Sequence, residues 1–590
     1  MEVTRTFDLL ERYATNFSDK KDVFAGKVNR EWVKHSVSDY INNSNFVSYG
    51  LLALGLKKGD RVATITNNRP EWNFVDMGLS QSGLLHVPIF VTLNSDGYKE
   101  IFEHAGIKAA FVSDKRLYNI IKPLVPELIF TFNEVEGAKH WTEVRNLGKE
   151  KTAKFKDVVI KTKKETKPTD PVTLIYTSGT TGNPKGVLLS HWNLMSNAIA
   201  ASKVFKLQPN QRYLSILPIC HVGERLGCYQ TQYSGCSIYY SENVATIAND
   251  LQDVKPHGFG AVPRILEKVY DRIISKGQKL TGIKKKLFFW AVDLGLKYKL
   301  EGNGLWYKLQ HKLADKLIFS KWREAVGGNI VSVGIGGAAL QPRLEKVFWA
   351  AGIKLLNMYG LTETATIITL NRQHLPDLRF GTVGSKIEGV ELKIAGDGEI
   401  LCKGPNVMLG YYNNEEATKE AIDSNGWFHT GDIGVLEDGK FLRITDRKKE
   451  IFKLSNSIYI SPQAIESLFK ESVFIDQIMV IGDNEKFTSA LLAPNFEALN
   501  EWCIGNKINI LSKPELVNMP AVNQLYTGIV KEFNKSLSKD EQVKQFRIVS
   551  DDWTPDSGEL SPTLKLKRRV LIEKYKELIC DIFNKEAFTE

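Results

Sequence analysis

Residues 176–187 read YTSGTTGNPKGV, a run of glycines and hydroxylated residues closed by a lysine. Glycines let successive backbone N–H groups converge on one point, and hydroxyls add short donors. Lys185 brings a mobile point charge. Thr177, Ser178, Gly179, Thr180, Thr181 and Gly182 with Lys185 therefore have the makings of a phosphate cradle. The apolar run before it, Val172 to Tyr176, reads as a buried strand. The loop thus leaves a strand end, where α/β proteins keep their ligands. It is not the nucleotide P-loop, which needs Gly, four residues, then Gly-Lys-Ser/Thr. Here the lysine follows Pro184 and Gly186 comes next.

From about residue 20 to 350, apolar strands alternate with helical patterns, as at Arg61–Thr66, Trp72–Ser82 and Val87–Phe90. Leu214–Leu217, Gly258–Val262 and Ile330–Ile335 continue the series. That alternation predicts parallel-rich sheets flanked by helices. From Val390 the texture changes to short strands, with hairpin turns at Asp397-Gly398 and Asp438-Gly439. A small barrel-like subdomain is expected there. Beyond about Asp446 a compact α+β unit follows. The division is 1–445 and 446–590, with the second unit mobile. Lys149–Lys167 is rich in lysine and poor in large apolar residues, and reads as a solvated loop. Between Lys284 and Arg323, Leu287, Ala291, Leu294 and Tyr298 share one helical face, as do Leu305, Leu309, Leu313 and Leu317. The expected arrangement is a helical hairpin packed on the main unit. The alternative is a membrane-lying patch, since lysines intervene.

A chain of 590 residues calls for two or three domains. No apolar run approaches the ~20 residues that span a bilayer. No secretory signal is visible, and six cysteines without a C-x-x-C pair suit a cytoplasmic protein. The net charge of +10 comes without a nucleic-acid recognition module. Anionic small molecules, or peripheral contact with the inner face of a membrane, suit it as well.

Further motifs carry chemistry. MYGLTETAT (Met358–Thr366) follows a strand ending at Asn357, itself a candidate nucleotide contact. Tyr359 can stack on a base, Thr362 can bond a phosphate, and Glu363 can ligate magnesium. In HTGDIG (His429–Gly434), Asp432 on a Gly-flanked turn suits a bidentate hold on ribose hydroxyls. GIGGAAL (Gly334–Leu340) is nearly without side chains, so at Gly337 and Ala338 backbone can approach a ligand closely.

These strings, in this order, resemble the AMP-forming acyl-adenylating enzymes. The family activates a carboxylic acid with ATP, releases pyrophosphate, and usually passes the acyl group to coenzyme A. The resemblance implies ATP, magnesium and coenzyme A as reaction components. In DRKKEIFKLSNSIYISP (Asp446–Pro462), Arg447 matches a ribose- and phosphate-contacting arginine and Lys449 a hinge. In SPTLKLKRR (Ser561–Arg569), Lys565 matches a lysine that reaches the reacting carboxylate and α-phosphate. His221 in LPICHVGERL matches a residue beside the substrate carboxylate. With VPRILEKVY (Val262–Tyr270), the chain resembles the long-chain fatty acid branch, so a fatty acid is the expected substrate.

Positive charge has a purpose here. Two unit negative charges at about 4 Å repel by roughly 4 kcal/mol at an effective dielectric of about 20. Lys185, Lys565 and a magnesium ion on Glu363 would offset such terms as a carboxylate meets ATP.

One place departs from the family pattern. Ser455-Asn456-Ser457 stands where relatives carry Ser-Gly-Gly, on the loop that faces coenzyme A. Asn tolerates positive φ, so Asn456 is expected there. The alternatives are an acyl-AMP ligase loading a separate carrier protein, a ligase for medium-chain or other carboxylates, or a non-catalytic lipid-binding scaffold. Oligomeric state is not legible, a homodimer being one possibility.

Overall fold

The computed structural model describes residues 2–125, 127–177, 185–243, 245–510, 512–555, 557–561 and 564–584. Two large sheets dominate. In the eight-stranded one, Leu85–Pro88, Arg61–Ile65, Ile107–Val112 and Ile129–Thr131 run parallel. Its other flank is Pro171–Thr177, paired antiparallel with Lys185–Ser190 in a register that sets Thr177 opposite Lys185. Thr177 and Lys185, the two ends of the motif that are described, are therefore paired across this hairpin. Ser178, Gly179, Thr180, Thr181 and Gly182 lie outside the described residues.

The nine-stranded sheet has a parallel centre, Arg212–Ser215, Gly258–Ala261, Ser332–Ile335 and Leu355–Tyr359, so LPICH, GIGGAAL and MYGLTETAT all leave strand ends or follow them closely. Antiparallel strands close both edges. Helix Pro70–Gln81 bridges the sheets. Trp72 Nε1 donates to Thr64 Oγ1 of one, at 3.1 Å, and Asn73 Nδ2 to Tyr240 Oη of the other, at 2.8 Å. Nearly every residue of this helix is buried, which explains its lack of a polar face.

A four-stranded antiparallel sheet follows, Glu391–Ile394, Glu399–Lys403, Phe428–Glu437 and Phe441–Arg447. Its last hairpin turns through Asp438–Lys440, with left-handed φ of 50° at Asp438 and 64° at Gly439 and with Lys440 N–H donating to Glu437 O at 3.0 Å. From Leu454 onward, side chains gather round cores of their own, over the sheet Ile475–Ile481, Ser489–Pro494 and Gln545–Ile548.

Two expectations change. Lys149–Lys167 is chiefly helical, closing the helix Trp141–Glu150 and forming Thr152–Glu165. Lysine favours helix, and Phe155, Val159, Thr162 and Thr166 recur at helical spacing along the less exposed side. The 284–323 stretch folds as Gly282–Leu296, Leu305–Ala314, a π-turn Asp315–Phe319 and Ser320–Ala325. In the first helix Ala291 and Leu294 are buried as expected. In the second, Leu305, Leu309 and Leu313 point away from the protein.

Candidate active site

Asp432 and Arg447 are direct partners across the last hairpin, which brings Arg447 Nε within 3.2 Å of Asp432 Oδ1. The hydroxyl of Tyr359 donates to Asp432 Oδ2 at 2.7 Å. Burial pushes the Asp432 carboxyl up, while Arg447, Tyr359 and Lys565 pull it back. Tyr359 is buried, and its hydroxyl fixes the Asp432 carboxylate. Lys565 stands in the same cleft. It keeps solvent-accessible surface, yet the walls crowd it, and that loss of water lowers its ammonium to about 8. Arg447 adds to the lowering, and Asp432, Glu450 and Glu363 oppose it. The backbone places this lysine through a tight turn, with Lys565 N–H donating to Ser561 Oγ at 3.0 Å. Arg568 anchors the segment, donating to Glu466 Oε1 at 2.6 Å and lying 3.4 Å from Glu450.

A second cluster sits where the phosphate-loop hairpin meets the MYGLTETAT turn. The hydroxyl of Tyr411 donates to Glu363 Oε1 at 2.9 Å, and Lys185 Nζ lies 4.8 Å from the centre of the Tyr411 ring. Thr362 opens the 3-10 turn Thr362–Thr364 that carries Glu363. Gly360 is obligatory, because a Cβ there would come within 1.4 Å of Thr366 O. Ala365 and Thr366 hold positive φ, 47° and 99°, a strained backbone of the kind kept at functional turns. Asn197 clamps the turn. Its Nδ2 donates to Ile367 O at 2.8 Å, and Ile367 N–H donates to Asn197 Oδ1 at 3.3 Å.

His221 caps the helix Val222–Tyr233, its Nδ1 accepting from Gly223 N–H at 3.0 Å. An accepting Nδ1 leaves the proton of a neutral ring on Nε2. Burial lowers this histidine to about 4, and the charge of Lys565 works in the same direction. His221 is therefore a neutral Nε2–H donor near Lys565. One turn on, Arg225 donates to Asp76 Oδ1 at 2.5 Å and to Thr173 Oγ1 at 2.7 Å. Tyr229 donates to Asp76 Oδ2 at 2.6 Å, and His86 Nδ1 lies 2.7 Å from Asp76 Oδ1. This buried network ties the His221 helix to the strand that feeds the phosphate loop.

Gly337 takes φ +87°, and Gly337 and Ala338 are exposed along the cleft wall. Asn357 donates through Nδ2 to Glu345 Oε1 at 3.2 Å, while its buried Oδ1 has no partner among the described residues. An acceptor left free in that wall fits a ligand N–H, as an adenine amino group would supply. Burial raises Glu345 to about 8, against the hydrogen bond from Gly381 N–H.

Lys449 is exposed in a turn where the N–H groups of Glu450 and Ile451 both donate to Arg447 O. The expectation of positive φ at Asn456 fails, because Ser457 takes that conformation, at 69°. Ser457 N–H donates to Leu454 O at 2.9 Å, closing a four-residue turn with Ser457 last. Asn456 instead accepts from Ile458 N–H at 3.2 Å and donates to Asp540 Oδ1 at 3.0 Å.

Among the described residues no group of three or more His, Cys, Asp and Glu is arranged to hold a metal. Glu363 is a single carboxylate, which fits a magnesium ion that takes its other ligands from phosphate oxygens and water. Tyr411, Asn197, Glu345 and the Asp76–Arg225 pair escaped the sequence reading. Only the aromatic pair of Gly410-Tyr411-Tyr412 offered a signal, and a weak one.

The model of the AMP-binding enzyme family matches residues 10–412. The long-chain-fatty-acid–CoA ligase FadD15 of Mycobacterium bovis is 32% identical over 572 residues, covering 94% of this chain and 93% of its own. The peroxisomal long chain acyl-CoA synthetase 7 of Arabidopsis thaliana is 31% identical, covering 91% of this chain and 80% of its own. Among solved structures, the anthranilate CoA ligase AuaEII in complex with anthranoyl-AMP has the same fold, with a TM-score of 0.73 at 18% identity, covering 98% of this chain and 100% of that one.

Proposed function

Because the chain belongs to the AMP-binding enzyme family, we infer that it is an AMP-forming acid–thiol ligase, a long-chain fatty acid–CoA ligase. ATP and coenzyme A are its co-substrates. In the first step a carboxylate oxygen of the fatty acid attacks the α-phosphorus of ATP, the bond to the β-phosphate oxygen breaks, and pyrophosphate leaves. In the second, the thiol of coenzyme A loses its proton and attacks the acyl carbon, and AMP leaves. No side-chain nucleophile is needed.

The single observation that supports the residue roles is the convergence of Lys565, Asp432 and Glu363 on one cleft. Lys565 would neutralise charge between carboxylate and α-phosphate, and His221 Nε2–H would orient the carboxylate. Asp432 and Arg447 would hold the ribose, Asn357, Tyr359, Gly337 and Ala338 would surround the base, and Thr177 to Gly182 with Lys185 and Thr362 would bind phosphate. A magnesium ion on Glu363 would supply charge neutralisation at the phosphates when bound. Rotation of residues 446–590 about Lys449 would withdraw Lys565 and bring Ser455–Ser457 to the adenylate. The proposed setting is the cytoplasmic face of a membrane, with peripheral contact. No helix among the described residues is long and apolar enough to cross one.

The test is AMP and thioester formation measured over a series of fatty acids, with and without coenzyme A. Thioester formation best with long chains is the expected result. Adenylation without transfer to coenzyme A would favour the carrier-loading alternative, and an optimum at shorter chains would overturn the long-chain assignment.

A further inference from the structure

The helix Leu305–Ala314 is amphipathic in the wrong sense for a packed helix. Its polar side faces the protein: Tyr307 donates to Leu294 O at 2.9 Å, and His311 Nε2 to Ala350 O at 2.7 Å. Its apolar side faces water, with Leu305 82%, Trp306 72%, Leu309 63% and Leu313 50% exposed. At 3.6 residues per turn these four form one continuous ridge, far beyond the single apolar side chains normal on a surface. Lys308, Lys312 and Lys316 are exposed along it. The preceding helix, Gly282–Leu296, carries near its start Ile283, 83% exposed, and then the exposed Lys284, Lys285 and Lys286. Of the acids on these segments, Asp315 is paired with Arg323, and the exposed Asp293 and Glu301 are outnumbered by the lysines.

We propose that this ridge docks on an anionic phospholipid surface, with Leu305, Trp306, Leu309 and Leu313 among the acyl chains and the lysines at the headgroups. Charge complementarity selects this occupant. A second copy of the chain would bring the same lysines face to face, whereas anionic lipid is attracted by them. An in-plane helix with Trp and Leu on one side and lysine on its border matches the requirements of interfacial binding. The anchorage is rigid, because His311 and Arg323 both donate to the end of helix Pro342–Ala350, at Ala350 O and Ala351 O. That helix starts two residues beyond Gly337–Leu340, so the ridge is tied through it to the strand end that carries this turn. The inference takes from the proposed function only its purpose, supply of a lipid acid, and its test is independent of catalysis.

The experiment is co-sedimentation of the full chain with vesicles of phosphatidylcholine alone or mixed with phosphatidylglycerol. Wild type is expected to partition to the anionic vesicles and to be released by salt. The double variant Trp306→Gln/Leu309→Gln should lose at least roughly tenfold in partitioning. Lys308→Gln/Lys312→Gln/Lys316→Gln should lose the preference for anionic over neutral lipid. Unchanged melting temperatures, and unchanged turnover of an acid presented as monomers, would show that both variants fold. Wild type that stays in the supernatant, variants that sediment like wild type, or a dimer in analytical ultracentrifugation that the double variant dissolves would each overturn the proposal.

Discussion

The hydroxyl of Tyr411 donates to Glu363 Oε1 at 2.9 Å, while the ring of the same tyrosine carries Lys185 Nζ over its face. One aromatic side chain thus sets both the carboxylate and the ammonium that flank the phosphate-loop hairpin. Tyr411→Phe keeps the ring and removes the donor. The expected outcome is a rise of about tenfold in the MgATP concentration for half-maximal pyrophosphate release, the size of a charge-assisted hydrogen bond of ~1.5 kcal/mol. An unchanged ATP titration would show that Glu363 needs no such support.

Glu363→Gln should lower pyrophosphate release by about 10²–10³-fold with the melting temperature unchanged, since a neutral amide is a poor ligand for magnesium. Near-normal adenylation in this variant would remove Glu363 from the metal assignment.

Lys565 gives a pH signature. Its pKa, lowered to about 8, lies above neutrality, so the charged form dominates at pH 7 and disappears as pH rises through that value. If the ammonium is what neutralises the reacting anions, kcat/KM for adenylation falls above about pH 8. ATP adds negative charge, so the corresponding limb of kcat lies higher. Lys565→Arg should abolish the falling limb, because a guanidinium does not titrate there. Lys565→Ala should block adenylation yet spare thioester formation from supplied acyl-adenylate. His221, lowered to about 4, contributes no limb near neutrality. A flat profile in wild type, or a defect confined to Lys567→Ala, would show that Lys565 is the wrong lysine.

Arg225→Met should destabilise the chain by about 3–5 kcal/mol in denaturant unfolding, because it strands the buried carboxylate of Asp76. A shift below ~1 kcal/mol would mean that His86 and Tyr229 satisfy Asp76 without it.

The motifs were legible where covalent geometry leaves few choices. Gly360 admits no Cβ, and Asp432 sits on a Gly-flanked turn that a short string displays, whereas Arg447, its register partner, enters only through the family resemblance. Alternating strands and helices likewise announced the two large sheets. Tyr411 and Asn197 were invisible because each acts through a partner far along the chain, 48 residues away at Glu363 and 170 at Ile367. The Lys149–Lys167 helix escapes a reading by composition because low apolar content is shared with loops, although the helix propensity of lysine and a narrow packed stripe suffice. The hairpin at 284–323 misled differently. Periodicity reports that Leu305, Leu309 and Leu313 share a face, and it is silent on whether that face meets protein or solvent.

The loop at Ser455–Ser457 yields the last prediction. The left-handed residue is Ser457, at φ 69°, where a non-glycine residue costs about 1–2 kcal/mol. Asn456 holds the turn from outside through Ile458 N–H and Asp540. Ser457→Gly should therefore relieve strain, raising stability by up to ~1 kcal/mol and leaving transfer to coenzyme A intact or faster. Ser457→Val, with a branched Cβ in the same conformation, should slow thioester formation while sparing adenylation. Asn456→Gly should loosen the loop, since it deletes both bonds without easing any strain. Single-turnover measurement of the two half-reactions separates these outcomes. Equal slowing of both steps by Ser457→Val would mean that the turn supports the C-terminal unit as a whole, with no special part in presenting the loop to the adenylate.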